Sequence, residues 1–189
     1  GYFDVSELDT FRNINSRLQG HPTTHEGLPG IRIASGSLGQ GMSVALGAAE
    51  TKKLNKDNRI IYSLHGDGEL QEGQIWEAAM AASHLEVSNL TAIIDRNRIQ
   101  NDNFVDEQMR IGDIASKFRS FGWNIIEIDG HDMNDILIAL SEAKASVEPT
   151  AIVAATVKGK GVSFMEDNPA FHGAAPNDEQ FALAMEELS

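Results

Sequence analysis

The chain contains no cysteine, so neither a disulfide framework nor thiol chemistry is open to it, and a cytoplasmic setting fits that absence. Positive charge is scarce. Fifteen Lys and Arg against 28 Asp and Glu leave a net charge of −13, which argues against nucleic acid or an anionic membrane surface as partner. No apolar run is long enough to span a bilayer. Internal repeats and low-complexity segments are also missing. The opening, Gly1-Tyr2-Phe3-Asp4, is neither a signal peptide nor an initiation site, which leads to the expectation that the chain begins inside a longer polypeptide. What is present is 189 residues, enough for one domain with a real core.

Short apolar runs alternate with amphipathic stretches along most of that length. The runs at Arg59 to Leu64, Leu90 to Ile94, Asn124 to Ile128 and Thr150 to Val157 are predicted strands. The segments Met42 to Lys53, Glu72 to His84, Ile111 to Phe121, Asp132 to Ser146 and Asp178 to Leu188 are predicted helices. A weaker helical pattern covers Asp4 to Leu18, and His21 to Arg32 is predicted as an ordered loop. Strands and helices in this alternation imply an α/β fold, a doubly wound parallel sheet covered on both faces.

Two strand ends carry chemistry. The first strand runs into Gly66-Asp67-Gly68, where flanking glycines permit a sharp turn and close approach of backbone N–H groups to an anion. The second runs into Asp95-Arg96-Asn97. In a parallel sheet both ends open on the same edge, where α/β proteins bind ligands. Asp67 is a hard oxygen donor suited to Mg²⁺, an ion that keeps its other positions for water and phosphate oxygens, and Asn97 lies where it can share that ion. A bare Asp-Gly is usually only a turn. Here a strand precedes it, a helix follows it, and an Asn answers it from the next strand.

With these pieces in order the chain resembles the transketolase family, and within it the N-terminal, thiamine-diphosphate-binding subunit of split transketolases. The resemblance covers essentially the whole chain. It rests on Gly20-His21-Pro22, Leu28-Pro29-Gly30, Ser35-Gly36-Ser37-Leu38-Gly39-Gln40-Gly41, Gly66-Asp67-Gly68-Glu69-Leu70-Gln71-Glu72-Gly73, Asp95-Arg96-Asn97-Arg98-Ile99 and Phe171-His172-Gly173. It implies a single diphosphate-binding domain over residues 1–189 that lacks the family's first segment, with the pyrimidine-binding domain on a partner chain. It also implies a cytoplasmic enzyme of pentose phosphate metabolism. That enzyme transfers a two-carbon ketol unit between sugar phosphates and assembles as a heterotetramer with a C-terminal transketolase subunit.

The implied roles are specific. Asp67 and Asn97 would bind Mg²⁺ (or Ca²⁺ or Mn²⁺) through their side chains and Ile99 through its carbonyl. Gly36, Ser37, Leu38, Gly66, Gly68 and Glu69 would complete the cofactor site, with Gly36 and Leu38 against the aminopyrimidine. His21 and His172 would face the thiazolium and the sugar. Glu72 and Glu77 would belong to a carboxylate network between paired active sites. Bland alternatives stand beside these: a loop histidine for His21, and first-turn helix charges for Glu72 and Glu77. His25, His65, His84 and His131 read as structural. Lys158 and Lys160 read as solvated or as phosphate-neutralising. The sequence departs from the family at Asn101, where an apolar residue usually packs on the cofactor, and at Asp102-Asn103, usually Asp-Gly. Other readings are a 1-deoxyxylulose-5-phosphate synthase, a dehydrogenase E1 component, a transketolase for a sulfo- or branched sugar, and a non-catalytic scaffold of the same fold.

Overall fold

The computed structural model describes residues 1–189. Four strands, β1 (Ile61–Gly66), β2 (Leu90–Arg96), β3 (Asn124–Asp129) and β4 (Thr150–Ala155), form one sheet in the order β1-β2-β4-β3 with every pair parallel. Six helices accompany them: α1 (Gln40–Leu54), α2 (Gly73–His84), α3 (Val105–Gln108), α4 (Ile114–Ser120), α5 (Met133–Ala145) and α6 (Asp178–Glu187). The expected α/β fold with a doubly wound parallel sheet is therefore what the chain adopts.

Handedness explains which helix covers which face. The crossovers β1 to β2 and β2 to β3 both advance across the sheet, so their helices lie on one face. The crossover β3 to β4 steps back, so α5 must lie on the other. The two apolar clusters follow this division. The larger joins Met42, Ala45 and Ala49 of α1, Ile75, Ala78, Ala79 and Ala82 of α2 and Ile114 and Phe118 of α4 to Leu90, Ala92 and Ile94 of β2. Small residues on α1 and α2 let the two helices approach closely. The smaller cluster seats Ala139 and Ala143 of α5 on Ile152 of β4. No helix of this chain seals the second face of β1, where Tyr62 and Leu64 are exposed.

Phe118 sits at the centre of an aromatic group, 5.2 Å from Trp76 and 5.3 Å edge-to-face from Trp123 between ring centroids. Both indoles find acceptors, Trp123 Nε1 at Ala79 O and Trp76 Nε1 at Leu70 O, each at 2.9 Å. The second bond ties α2 to the turn that follows the glycines, and so carries core rigidity to the strand end.

Asp4 to Leu18 departs from the helical expectation. Only a 3-10 segment, Val5–Thr10, forms, and Arg12 (φ 61°) and Asn15 (φ 66°) then take left-handed conformations that end it. With Leu18 the one buried residue of that stretch, there is no packing to favour a longer helix.

Candidate functional site

The register aligns Gly66 with Asp95, Asp95 with Ala154, and Ala154 with Ile128, so one row of residues crosses the C-terminal edge of the sheet. Asp67, Asn97, Thr156 and Asp129 emerge just beyond it. Asp67 donates its backbone N–H to Asp95 O at 3.1 Å. Its carboxylate is 3% exposed and accepts two backbone N–H groups, Gly68 at Oδ1 (2.8 Å) and Arg98 at Oδ2 (2.7 Å). Arg98 reaches that position by adopting φ 65°.

Asp95 organises the opposite side. Asn97 Nδ2 donates to its Oδ2 at 3.0 Å, and the Thr156 hydroxyl donates to its Oδ1. The Asn97 amide is thereby oriented with its oxygen accepting Ile99 N–H at 3.0 Å. Sequence reasoning missed Asp95 as a positioning group, although it stands inside the Asp-Arg-Asn block.

No Lys or Arg forms an ion pair with Asp67. Burial raises its carboxyl above the ordinary range, the N–H groups of Arg98 and Gly68 pull it back in part, and the Asp95 charge adds to the rise. The Arg96 charge also lowers it, without forming an ion pair, and a buried carboxylate with lone pairs beyond its two N–H contacts has the donor chemistry of a divalent-ion ligand. The remaining donors are an Asn amide oxygen and backbone carbonyls. No cluster of three acidic, His or Cys side chains stands there.

The segment before α1 lies against the same edge. A Cβ at Gly36 would come within 2.7 Å of His21 Cδ2, so His21 and Gly36 are in direct contact and glycine is needed there. Ser37 Oγ accepts Gln40 Nε2 at 3.0 Å. Glu69 does not reach into open space: Oε1 accepts Gly39 N–H at 2.8 Å and Oε2 accepts Gly66 N–H at 3.2 Å. The buried His65 sets Nδ1 3.3 Å from the same Oε1, a contact too poorly aligned for a hydrogen bond. Burial pushes the Glu69 carboxyl up, and His65 with the Gly39 and Gly66 N–H groups more than offsets it, leaving it below the ordinary range.

A cavity of about 460 Å³ opens where β2, β4 and β3 end, lined on its polar side by Asp95, Asn97, His131, Thr156 and Lys158. His131 Nε2 accepts Val157 N–H at 2.8 Å, which makes it the acceptor that fixes the loop after β4. His172 follows the 3-10 turn Pro169–Phe171 and is largely exposed. Its imidazole is held below the ordinary histidine value by partial burial and by the Lys158 charge, against an opposing pull from Asp102. Glu72 and Glu77 are exposed and unpaired in this chain. Asn101 and Asn103 face solvent-side partners, Asp102 Oδ1 (2.9 Å) and Glu107 Oε2 (2.6 Å).

Residues 1–189 match the family model described as transketolase, thiamine diphosphate binding domain. The chain belongs to this transketolase family. It is 38% identical over its full length to an apulose-4-phosphate transketolase subunit from Phocaeicola vulgatus and 39% identical to the 6-deoxy-6-sulfo-D-fructose transketolase subunit of a Clostridium species. It spans 67% and 68% of those two subunits. Transketolase from Campylobacter jejuni superposes on 96% of the chain with a TM-score of 0.88 at 33% identity, and the chain accounts for 29% of that longer protein.

Proposed function

We propose that this chain is the diphosphate- and Mg²⁺-binding subunit of a split transketolase, active only with a partner chain that carries the pyrimidine-binding domain. In this reading residues 1–189 are one diphosphate-binding domain, and the assembly is a cytoplasmic heterotetramer, two copies of each chain. The observation that carries the proposal is the buried Asp67 carboxylate, without an ion-pair partner, at the end of one strand, with Asn97 just past the end of the adjacent one.

Asp67 and Asn97 would hold Mg²⁺ through side-chain oxygens and Ile99 through its carbonyl. Gly68, whose N–H donates to Asp67, would approach the diphosphate through its backbone. Lys158 places a positive charge on the cavity wall, where it would offset phosphate charge. Thiamine diphosphate, when bound, supplies the nucleophilic carbon and electron sink for breaking and making the carbon–carbon bond. His21 and His172 would orient sugar hydroxyls and move their protons. His172 is suited to accepting one at neutral pH because burial and Lys158 keep it uncharged. Glu72 and Glu77 would meet their counterparts across the interface between paired sites.

The names of two relatives favour a second reading, in which the same chemistry acts on an unusual sugar. The polar Asn101 and Asn103 in a segment where the family carries apolar residue and glycine point the same way.

The test is ketol transfer by the complex that co-purifies with the full-length subunit. Xylulose 5-phosphate and ribose 5-phosphate are supplied, and sedoheptulose 7-phosphate is followed with and without thiamine diphosphate and Mg²⁺. Apulose 4-phosphate and 6-deoxy-6-sulfofructose serve as alternative donors. Cofactor-dependent product from any donor, abolished by Asp67→Ala, is the expected result. Full activity in Asp67→Ala removes the metal assignment, and cofactor binding without product from any donor removes the transketolase reading.

A further inference from the structure

One peptide unit beside the site is gripped at both ends by side chains. The Leu38 carbonyl accepts Gln74 Nε2 at 3.2 Å. The N–H of the same peptide, that of Gly39, donates to Glu69 Oε1 at 2.8 Å. Glu69 and Gln74 come from the turn after β1 and from the first turn of α2, some thirty residues away in sequence.

The peptide needs such a grip. Gly39 sits at φ 81°, and a Cβ there would come within 2.8 Å of Glu72 Cβ, so the position requires glycine for both conformation and space. A glycine peptide has little intrinsic resistance to reversal. Reversal here would turn the Leu38 carbonyl toward the Glu69 carboxylate and the Gly39 N–H toward the Gln74 amide nitrogen. The carboxylate, which can only accept, would repel the carbonyl, whereas Gln74 could turn its amide oxygen to the N–H, so Glu69 selects the orientation and Gln74 completes the grip. The other oxygen of Glu69 accepts Gly66 N–H, which references that orientation to the end of β1 and hence to Asp67. Leu38 itself is half-exposed and belongs to neither core cluster, so its position depends on the backbone that carries it.

We propose that Glu69 and Gln74 are positioning residues that lock the Leu38–Gly39 peptide, and that Glu69 serves the site through this backbone rather than by touching the cofactor. The proposal rests on the reading above in which Leu38 lies against the aminopyrimidine. It makes the glycine-rich entry to α1 a fixed platform for the ring end of the ligand, separate from the metal grip that holds the diphosphate end.

Two ligands separate the ends. Calorimetric titration of the assembled complex with thiamine diphosphate reads both, and titration with inorganic diphosphate reads only the metal grip, each at saturating Mg²⁺. Glu69→Leu is expected to weaken thiamine diphosphate roughly 10- to 100-fold, the range of one charge-assisted hydrogen bond, with inorganic diphosphate unchanged. Glu69→Gln, which keeps an acceptor for Gly39 N–H, should recover most of the loss. Gln74→Ala, an exchange at the edge of α2 that leaves the core untouched, should weaken thiamine diphosphate several-fold by the same route. Hydrogen exchange at the Gly39 amide should accelerate in Glu69→Leu and Gln74→Ala even without ligand. Equal weakening of both ligands, or unchanged Gly39 exchange, overturns the proposal. A parent complex that binds inorganic diphosphate but not thiamine diphosphate removes the functional reading instead, and Gly39 exchange then decides the lock by itself.

Discussion

Lys158 and His172 reach each other from loops that are adjacent only in the folded chain, and their coupling has a definite sign. A cation beside an imidazole disfavours the imidazolium, so Lys158 lowers the His172 pKa in the same direction as burial, and Asp102 opposes both. Lys158→Ala should therefore move His172 upward toward an ordinary histidine, and Asp102→Asn should move it further down. Following the His172 ring by NMR across pH in the assembled complex measures this; no upward move in Lys158→Ala would show that the charge does not act on the ring. Arg98 offers a backbone test. Its left-handed φ brings its N–H to Asp67, at a strain of roughly 1–2 kcal/mol for a non-glycine residue, and its side chain is exposed. Arg98→Gly relieves that strain but adds unfolded-state entropy worth about 0.5–1 kcal/mol, so urea unfolding should place it within about 1 kcal/mol of the parent. Arg98→Val, β-branched and hostile to that φ, should be less stable than Arg98→Gly and should weaken Mg²⁺-dependent diphosphate binding through the misplaced N–H. The placement of Asp67 and Asn97 just past the ends of two adjacent strands was legible in the sequence, because each follows a short apolar run. The roles of Asp95, Arg98 and Gln74 were not: Asp95 acts by holding the Asn97 and Thr156 side chains, Arg98 by lending its backbone N–H to Asp67, and Gln74 by bonding the Leu38 carbonyl, and residue type announces none of these.

At the level of elements, helices and strands with a buried face were readable, and some of their ends shifted. The helix expected from Ile111 starts at Ile114 because Asp113 caps it, accepting Ser116 N–H at 2.9 Å. The strand expected to reach Val157 stops at Ala155, where its neighbours β2 and β3 also end, at Arg96 and Asp129. The short helix Val105–Gln108 went unread, being a single turn with one buried residue in a polar loop. Asp4 to Leu18 failed as a helix for want of a surface to pack on. The core helix α4 couples to the site at one remove, through Phe118 packed on Trp76 of α2 and the Trp76 bond to Leu70 O. Phe118→Ala should cost about 3–5 kcal/mol, the usual range for a fully buried phenylalanine. It should also loosen the Gly68–Gln71 turn. Chemical denaturation reads the first effect, and a matching loss of thiamine diphosphate affinity reads the second. A loss of stability with unchanged cofactor affinity would confine Phe118 to the core.

For the whole molecule, the decisive asymmetry is between the two faces of the sheet. Parallel sheets are ordinarily covered on both sides, yet Leu64 on the second face of β1 is 70% exposed and borders the cavity at the strand ends. The chain also spans about two thirds of the length of the transketolase subunits it matches, and in the proposed reading its site is shared with a partner chain. A ligand that bridges this chain and a partner stabilises the assembly by mass action, about 2.7 kcal/mol at a hundredfold excess over Kd. Thiamine diphosphate with Mg²⁺ should therefore raise the melting temperature of the assembled complex by several degrees, and the rise should vanish when Mg²⁺ is chelated or when Asp67 is replaced by Ala. Inorganic diphosphate with Mg²⁺ should give a smaller rise, because it engages this chain's metal grip without the ring end. A non-catalytic scaffold predicts no rise with either ligand. An equal rise with both would mean that the ring end contributes nothing, contrary to a site shared between the Asp67 edge and the Leu38 platform.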